Sequence, residues 1–147
     1  MSLKEKLMED LKSSMKNKDT IRKNTITMVR ASIKQIEVDQ RKELTDEEVL
    51  DIISKQVKEK RNAIEEFRKG SRDDLISQTE NEIEILLKYL PEQLSEEEVE
   101  EIVREAIREV SASSMKDIGK IMKYVMPKVK GRTDGNIVNN IVKRILN

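Results

Sequence analysis

Residues 45–70 read TDEEVLDIISKQVKEKRNAIEEFRKG, and the fold class follows from them. Thr45 precedes Glu48 by three positions. Such a pair closes a capping box: the hydroxyl accepts from the N–H of residue 48, and the carboxylate reaches back to the N–H of residue 45. Acids in the first turn also suit the positive end of the helix dipole. Behind the cap, Val49, Ile52, Ile53, Val57, Ile64 and Phe67 recur at helical spacing, which makes one stripe apolar and leaves a charged, solvated face with i,i+4 pairs. Gly70 is placed to stop the helix as a C′ glycine.

The same pattern extends in both directions. Ser2/Glu5, Ser95/Glu98 and Ser114/Asp117 repeat the cap signature. Leu3, Leu7, Leu11 and Met15 form the first stripe, and Ile21, Thr25, Met28, Val29, Ile33 and Ile36 the second. A fourth helix runs from near Ser71 to Tyr89, with Leu75, Ile76, Ile83, Leu86 and Leu87 inward, and Pro91 ends it. Beyond the Ser95 cap come Val99, Ile102, Val103, Ala106, Ile107 and Val110, and then a separating SASS. Met115, Ile118, Met122 and Val125 mark a sixth helix, and Ile137, Val138, Ile141, Val142 and Ile145 a seventh after Thr133. No alternating run supports a strand. The expected fold is all-α: an N-terminal four-helix domain over residues 1–91, followed by a smaller three-helix C-terminal domain over 92–147. Gly119 interrupts the sixth helix at a cost of about 1 kcal/mol relative to Ala. Close approach of a neighbouring helix is the expected reason, with backbone contact to a ligand as the alternative.

Composition narrows the chemistry. The 147 residues include no Cys and no His, which removes thiol nucleophiles, disulfides, thiolate zinc sites, Ser-His-Asp triads and imidazole acid–base chemistry. No pair of carboxylates stands out for catalysis, so no catalytic residue, metal or cofactor is expected. The longest apolar runs are a few residues, far short of the roughly 20 that span a bilayer. The N-terminus MSLKEKLMEDL lacks the hydrophobic run of a signal peptide. These features lead us to expect a soluble cytoplasmic protein with no membrane partner.

A net charge of zero conceals segregation. Residues 1–42 carry 11 Lys/Arg and 6 Asp/Glu, residues 43–114 carry 10 and 21, and residues 115–147 carry 8 and 2. Their balances are thus +5, −11 and +6, an asymmetry that speaks to partners. The last segment contains MPKVKGRTDGNIVNNIVKR, residues 126–144. A P-loop would need a preceding strand and a different glycine spacing, so that reading fails. What remains is a helix end at Met126-Pro127, a basic loop from Lys128 to Arg132, and a new helix start near Thr133 to Gly135. Glycine lets backbone approach an anion, and a helix start offers free N–H groups. Lys123, Lys128, Lys130, Gly131, Arg132, Gly135, Asn136, Asn139, Asn140 and Lys143 are therefore the candidate contacts to a phosphodiester backbone. A merely solvated lysine-rich loop is the competing reading. With Phe67, Tyr89 and Tyr124 as the only aromatics, base stacking on single strands is disfavoured, and a folded, duplex-like RNA read by shape is the better match.

Three stretches carry a resemblance: RKELTDEEVLDIISKQVKEKR, YLPEQLSEEEVEEIV and SMKDIGKIMKYVMPKVKGRTDGNIVNNIVK. Through them essentially the whole chain resembles the GatB/YqeY family, specifically its free-standing YqeY-like members. The most specific matches are Met115-Lys116-Asp117, Gly119-Lys120, Met126-Pro127-Lys128, Lys130-Gly131-Arg132 and Asp134-Gly135. Ala is common in the family where Thr133 stands, and Lys or Ser where Asn136 stands; the second departure removes a possible phosphate contact. The resemblance implies a helical protein similar to the tail of the B subunit of the glutamine-dependent aspartyl/glutamyl-tRNA amidotransferase, a carbon–nitrogen ligase. That tail looks like a tRNA-binding appendage, so tRNA is the expected partner. The catalytic core of that subunit has no counterpart here, and no amidation is expected from this chain alone. The alternative is a protein–protein adaptor for a tRNA-handling enzyme, acting through the acidic middle helices.

Overall fold

The computed structural model describes residues 1–147 as seven α-helices with no strand. They are α1 (Leu3–Lys16), α2 (Thr20–Gln40), α3 (Asp46–Lys69), α4 (Asp73–Leu87), α5 (Glu96–Glu109), α6 (Ile118–Val129) and α7 (Gly135–Leu146), with a 3-10 turn at Met115–Asp117. The chain divides into two compact units, Met1–Leu90 and Pro91–Asn147. No helix is long and apolar enough to cross a membrane.

Local chemistry starts the helices. Full capping boxes form at Thr45/Glu48 and Ser95/Glu98. At Ser2 only half forms: the hydroxyl accepts from the Glu5 N–H at 3.1 Å. Ser114 instead caps the 3-10 turn through the Lys116 N–H, and the Asp117 carboxylate accepts from the Ser113 N–H at 3.0 Å. The sixth helix therefore begins at Ile118 rather than at Met115. Two further caps are carboxylates without a partner acid three residues on: Asp19 on the Arg22 N–H and Asp134 on the Asn136 N–H.

Helix ends differ more from expectation. Gly70 sits at the C-cap with φ −92°, and Ser71 takes the left-handed conformation at φ 54°. The N–H groups of Ser71 and Arg72 return to the Arg68 and Phe67 carbonyls, closing a Schellman turn. Lys18 and Ser111 end α1 and α5 in the same way, with φ 56° and 54°. A search for glycine misses all three, because the carbonyl bonds outweigh the cost of a left-handed non-glycine residue.

In the first unit Leu7, Ile26, Val29, Val49, Ile53 and Leu86 are fully buried. Tyr89 closes this core: its hydroxyl donates to Asp10, and Asp10 pairs with Arg22 at 3.2 Å. Two expected core residues are not there: Met15 is 53% and Met28 56% exposed. Helix α2 packs against α1, α3 and α4 together, which rotates its buried arc onto Thr25, Ile26, Val29 and Ile33. The second unit has its own core of Val99, Val103, Ala106, Ile121, Val125, Val129, Val138, Ile141 and Val142.

Candidate nucleic-acid interface

Helix α6 does not stop at Met126-Pro127. Pro127 lies inside it, and the helix continues to Val129. Ile121, Val125 and Val129 follow one another at intervals of four on a single stripe, each fully buried. Their packing offsets a proline that costs about 3 kcal/mol in a helix interior. Lys128 is thus a helical residue, and the basic loop contracts to the residues between Val129 and Gly135. Gly131 takes φ 76° there, a conformation that glycine adopts without strain.

The loop is fastened to the segment before α5. The Gly131 carbonyl accepts from Gln93 Nε2 at 2.8 Å, and the Arg132 carbonyl from the Leu94 N–H at 2.8 Å. The Arg132 Nε donates to the Glu92 carbonyl at 3.1 Å. Arg132 also adds to the pull on the Glu98 carboxyl, which lies below its usual range chiefly through the Ser95 N–H and hydroxyl. Lys128 lies over the Tyr124 ring, 4.5 Å from its centroid. The Tyr124 hydroxyl raises the affinity of that ammonium for its proton, and Glu105 and Glu109 add to the effect. Lys128 and Arg132 are thereby engaged inside the unit, and Lys130 also has interactions of its own.

The remaining candidates divide between two outward faces. Asn136, Asn140 and Lys143 are exposed on the side of α7 opposite its buried residues, Asn139 is half-buried beside them, and Gly135 opens the helix. A side chain at Gly135 would meet Met126 Cε at 3.7 Å, an ordinary contact. On α6, Lys123 shares its outward face with Lys120, and Lys116 lies one turn earlier; all three are exposed. Reading the loop alone missed Lys116 and Lys120, although their spacing with Lys123 was visible. Gly119 belongs to the same exposed region, and a Cβ there would meet nothing within 4 Å. No neighbouring helix approaches it, so the expected reason for this glycine is overturned. Charge is sorted within the unit: residues 91–114 carry 2 Lys/Arg and 8 Asp/Glu, against 8 and 2 over residues 115–147.

A family model described as Yqey-like protein matches residues 4–146. Among curated proteins the chain is similar to altered inheritance of mitochondria protein 41, mitochondrial, from three yeasts. Identity is 42% over 85 residues with the Lachancea thermotolerans protein, covering 57% of this chain and 46% of that one. It is 42% over 84 residues with the Kluyveromyces lactis protein, covering 56% and 45%. It is 33% over 87 residues with the Saccharomyces cerevisiae protein, covering 58% and 47%. The matches thus span about half the length of these relatives. Their names correct the expectation of a cytoplasmic protein, because they are named as mitochondrial. That expectation rested on the lack of a hydrophobic N-terminal run, which distinguishes secreted chains from others but not the cytosol from the interior of an organelle.

Proposed function

This chain belongs to the Yqey-like protein family, and we propose that it is a tRNA-binding helical protein that holds the RNA backbone against the outward faces of α6 and α7. One observation carries this reading: Lys116, Lys120 and Lys123 line an exposed face of a segment with a balance of +6. Mobile ammonium groups on a rigid helix suit phosphates at roughly constant spacing and carry no base preference. Asn136, Asn140 and Lys143 supply further donors on the neighbouring helix. Lys128, Gly131 and Arg132 shape the turn between the helices, and Lys130 adds charge beside it. The tail-like resemblance to a tRNA amidotransferase subunit supports tRNA as the RNA, and the role proposed is accessory binding without catalysis. The two compact units are read as two domains, dividing at Pro91.

Direct titration with bulk tRNA tests the proposal, and absence of binding at 50 mM salt would sink it. A preparative check comes first. With no Trp and two Tyr, the chain absorbs weakly at 280 nm, so co-purifying RNA would dominate its ultraviolet spectrum. The adaptor reading has support in the −11 balance of residues 43–114, but Glu48 and Glu98 of that segment are already committed to helix starts. Protein partners that survive nuclease treatment in a pull-down would favour it.

A further inference from the structure

Independently of the RNA reading, the first unit presents a surface that its own fold leaves uncovered. The large apolar side chains left exposed in this protein are Met1, Met15, Met28 and Val38, and all four belong to the first 40 residues. A groove of about 590 Å³ opens between α1 and α2. Leu7 and Ile33, both buried, lie at its base, and Met8 and Ala31 line it. Met15 is seven residues from Met8, and Val38 is seven from Ala31. That spacing returns nearly to the same side of a helix, so an exposed apolar side chain recurs beyond each end of the groove, Met15 past one and Val38 past the other. Lys4 of α1 pairs with Glu37 of α2 at 2.6 Å, which sets the two helices antiparallel and brings the Val38 end beside the start of α1.

We propose that this groove binds an acidic amphipathic helix of a partner protein, laid along α1 and α2. Length argues for a helix rather than a small molecule. The 14 residues of α1 extend roughly 21 Å at about 1.5 Å each, enough for an i, i+3, i+4, i+7 row of anchors. Methionine lines the site, and its flexible thioether adapts to differently shaped apolar anchors. Charge specifies the partner's sign. Arg30 and Lys34 rim the groove on α2 and face the single carboxylate of Glu5 on α1, while Glu37 is already paired with Lys4; the lining thus keeps an excess of positive charge, and residues 1–42 carry a balance of +5. A second copy would bring two positive rims together. A membrane surface would favour a convex helix with bulky aromatic or leucine side chains, whereas this site is concave and residues 1–42 contain no aromatic. RNA supplies anions but no apolar ridge to fill the groove.

The test uses the full chain labelled at its methionine methyls, which distribute conveniently: Met1, Met8, Met15 and Met28 in the first unit, Met115, Met122 and Met126 in the second. The probe is an 18-residue helical peptide with leucines at i, i+3, i+4 and i+7 and glutamates on its flanks. Saturable shifts of Met8 and Met15, with the three second-unit methyls unmoved, are expected. The double change Arg30→Glu and Lys34→Glu should weaken this peptide at least tenfold and admit a lysine-flanked version. Val38→Glu, at a position 64% exposed, offers a second variant that leaves the core untouched and should also weaken the acidic peptide. No shift of Met8 or Met15 at millimolar acidic peptide overturns the proposal. So does equal binding of the lysine-flanked peptide to the unmodified chain, or a shift produced only by anionic vesicles, by tRNA or by raising the protein's own concentration.

Discussion

Replacing Lys116, Lys120 and Lys123 together by Gln tests where RNA would sit. All three are exposed on or next to the outward face of α6, so the folded state should lose little; surface changes of this kind stay within about 0.5 kcal/mol each. On duplex-like RNA each phosphate contact releases about 0.9 counterion, so three contacts should flatten the slope of log K against log salt by about 2.7. If counterion release is the whole effect, variant and wild type converge at 1 M salt. At 100 mM the gap then becomes about 2.7 decades, roughly 500-fold in affinity, and it narrows steadily as salt is raised. Fluorescence anisotropy with labelled tRNA at four salt concentrations measures both quantities. The comparison protein carries Lys55, Lys58 and Lys69 as Gln, all exposed on α3. Lys60 is a poor choice because it bonds Glu82 at 3.1 Å with both side chains largely buried. Arg132 is a poor target for the same reason, since its loss also releases the Glu92 carbonyl. Equal losses in the two triple variants, or an unchanged salt slope in the first, would refute the placement.

Three further outcomes are expected. Gly119→Ala should stabilise the second unit in a thermal melt by less than the about 1 kcal/mol of a helix interior, because Gly119 lies in the first turn of α6 and the added methyl meets nothing within 4 Å; destabilisation would mean that something packs there. Tyr89→Phe should cost about 1.5 kcal/mol by removing a donor to the charged Asp10, measured by urea unfolding. The Tyr89 hydroxyl is held well above its ordinary pKa, first by burial and then by Asp10. Its contribution should therefore be complete below the unfolded tyrosine value of about 10 and fall as pH rises beyond it, so alkaline loss of stability should be smaller in the Phe variant. Ser95→Ala should cost about 1 kcal/mol through loss of the α5 cap. The Glu98 carboxyl lies below its usual range first through the residue-95 N–H, which alanine keeps, and then through the Ser95 hydroxyl. The carboxylate's contribution is therefore present above pH about 4.3 and lost as acid protonates it; a cost of Glu98→Ala that is the same at pH 2 and pH 7 would count against the box.

Much of this protein is determined by sequence alone because its signals are local. A capping box needs only a hydroxyl and an acid three residues apart, so the starts of α3 and α5 are legible at Thr45/Glu48 and Ser95/Glu98. An apolar stripe needs only helical spacing, so seven helices and no strand follow from periodicity. Charge segregation can be counted without coordinates, and the resemblance, carried most specifically by residues 114–143, agrees with the family match over 4–146. Tertiary structure decided what depends on neighbours. Which side of α2 is buried was set by three packing partners, and this put Met28 outside and Ile26 inside. Buried Val125 and Val129 carried α6 through Pro127, against the local preference of proline. Carbonyl bonds across a finished turn placed Ser71 rather than Gly70 in the left-handed region. The basic residues were sorted in the same way: the Tyr124 ring and the Glu92 carbonyl gave Lys128 and Arg132 partners within the unit, although Lys128 stays exposed, and the solvent face of α6 with the turn before it kept Lys116, Lys120 and Lys123 at the surface. Spacing along a chain identifies a helix and its charges, but which of those charges reach solvent depends on what the other helices place beside them.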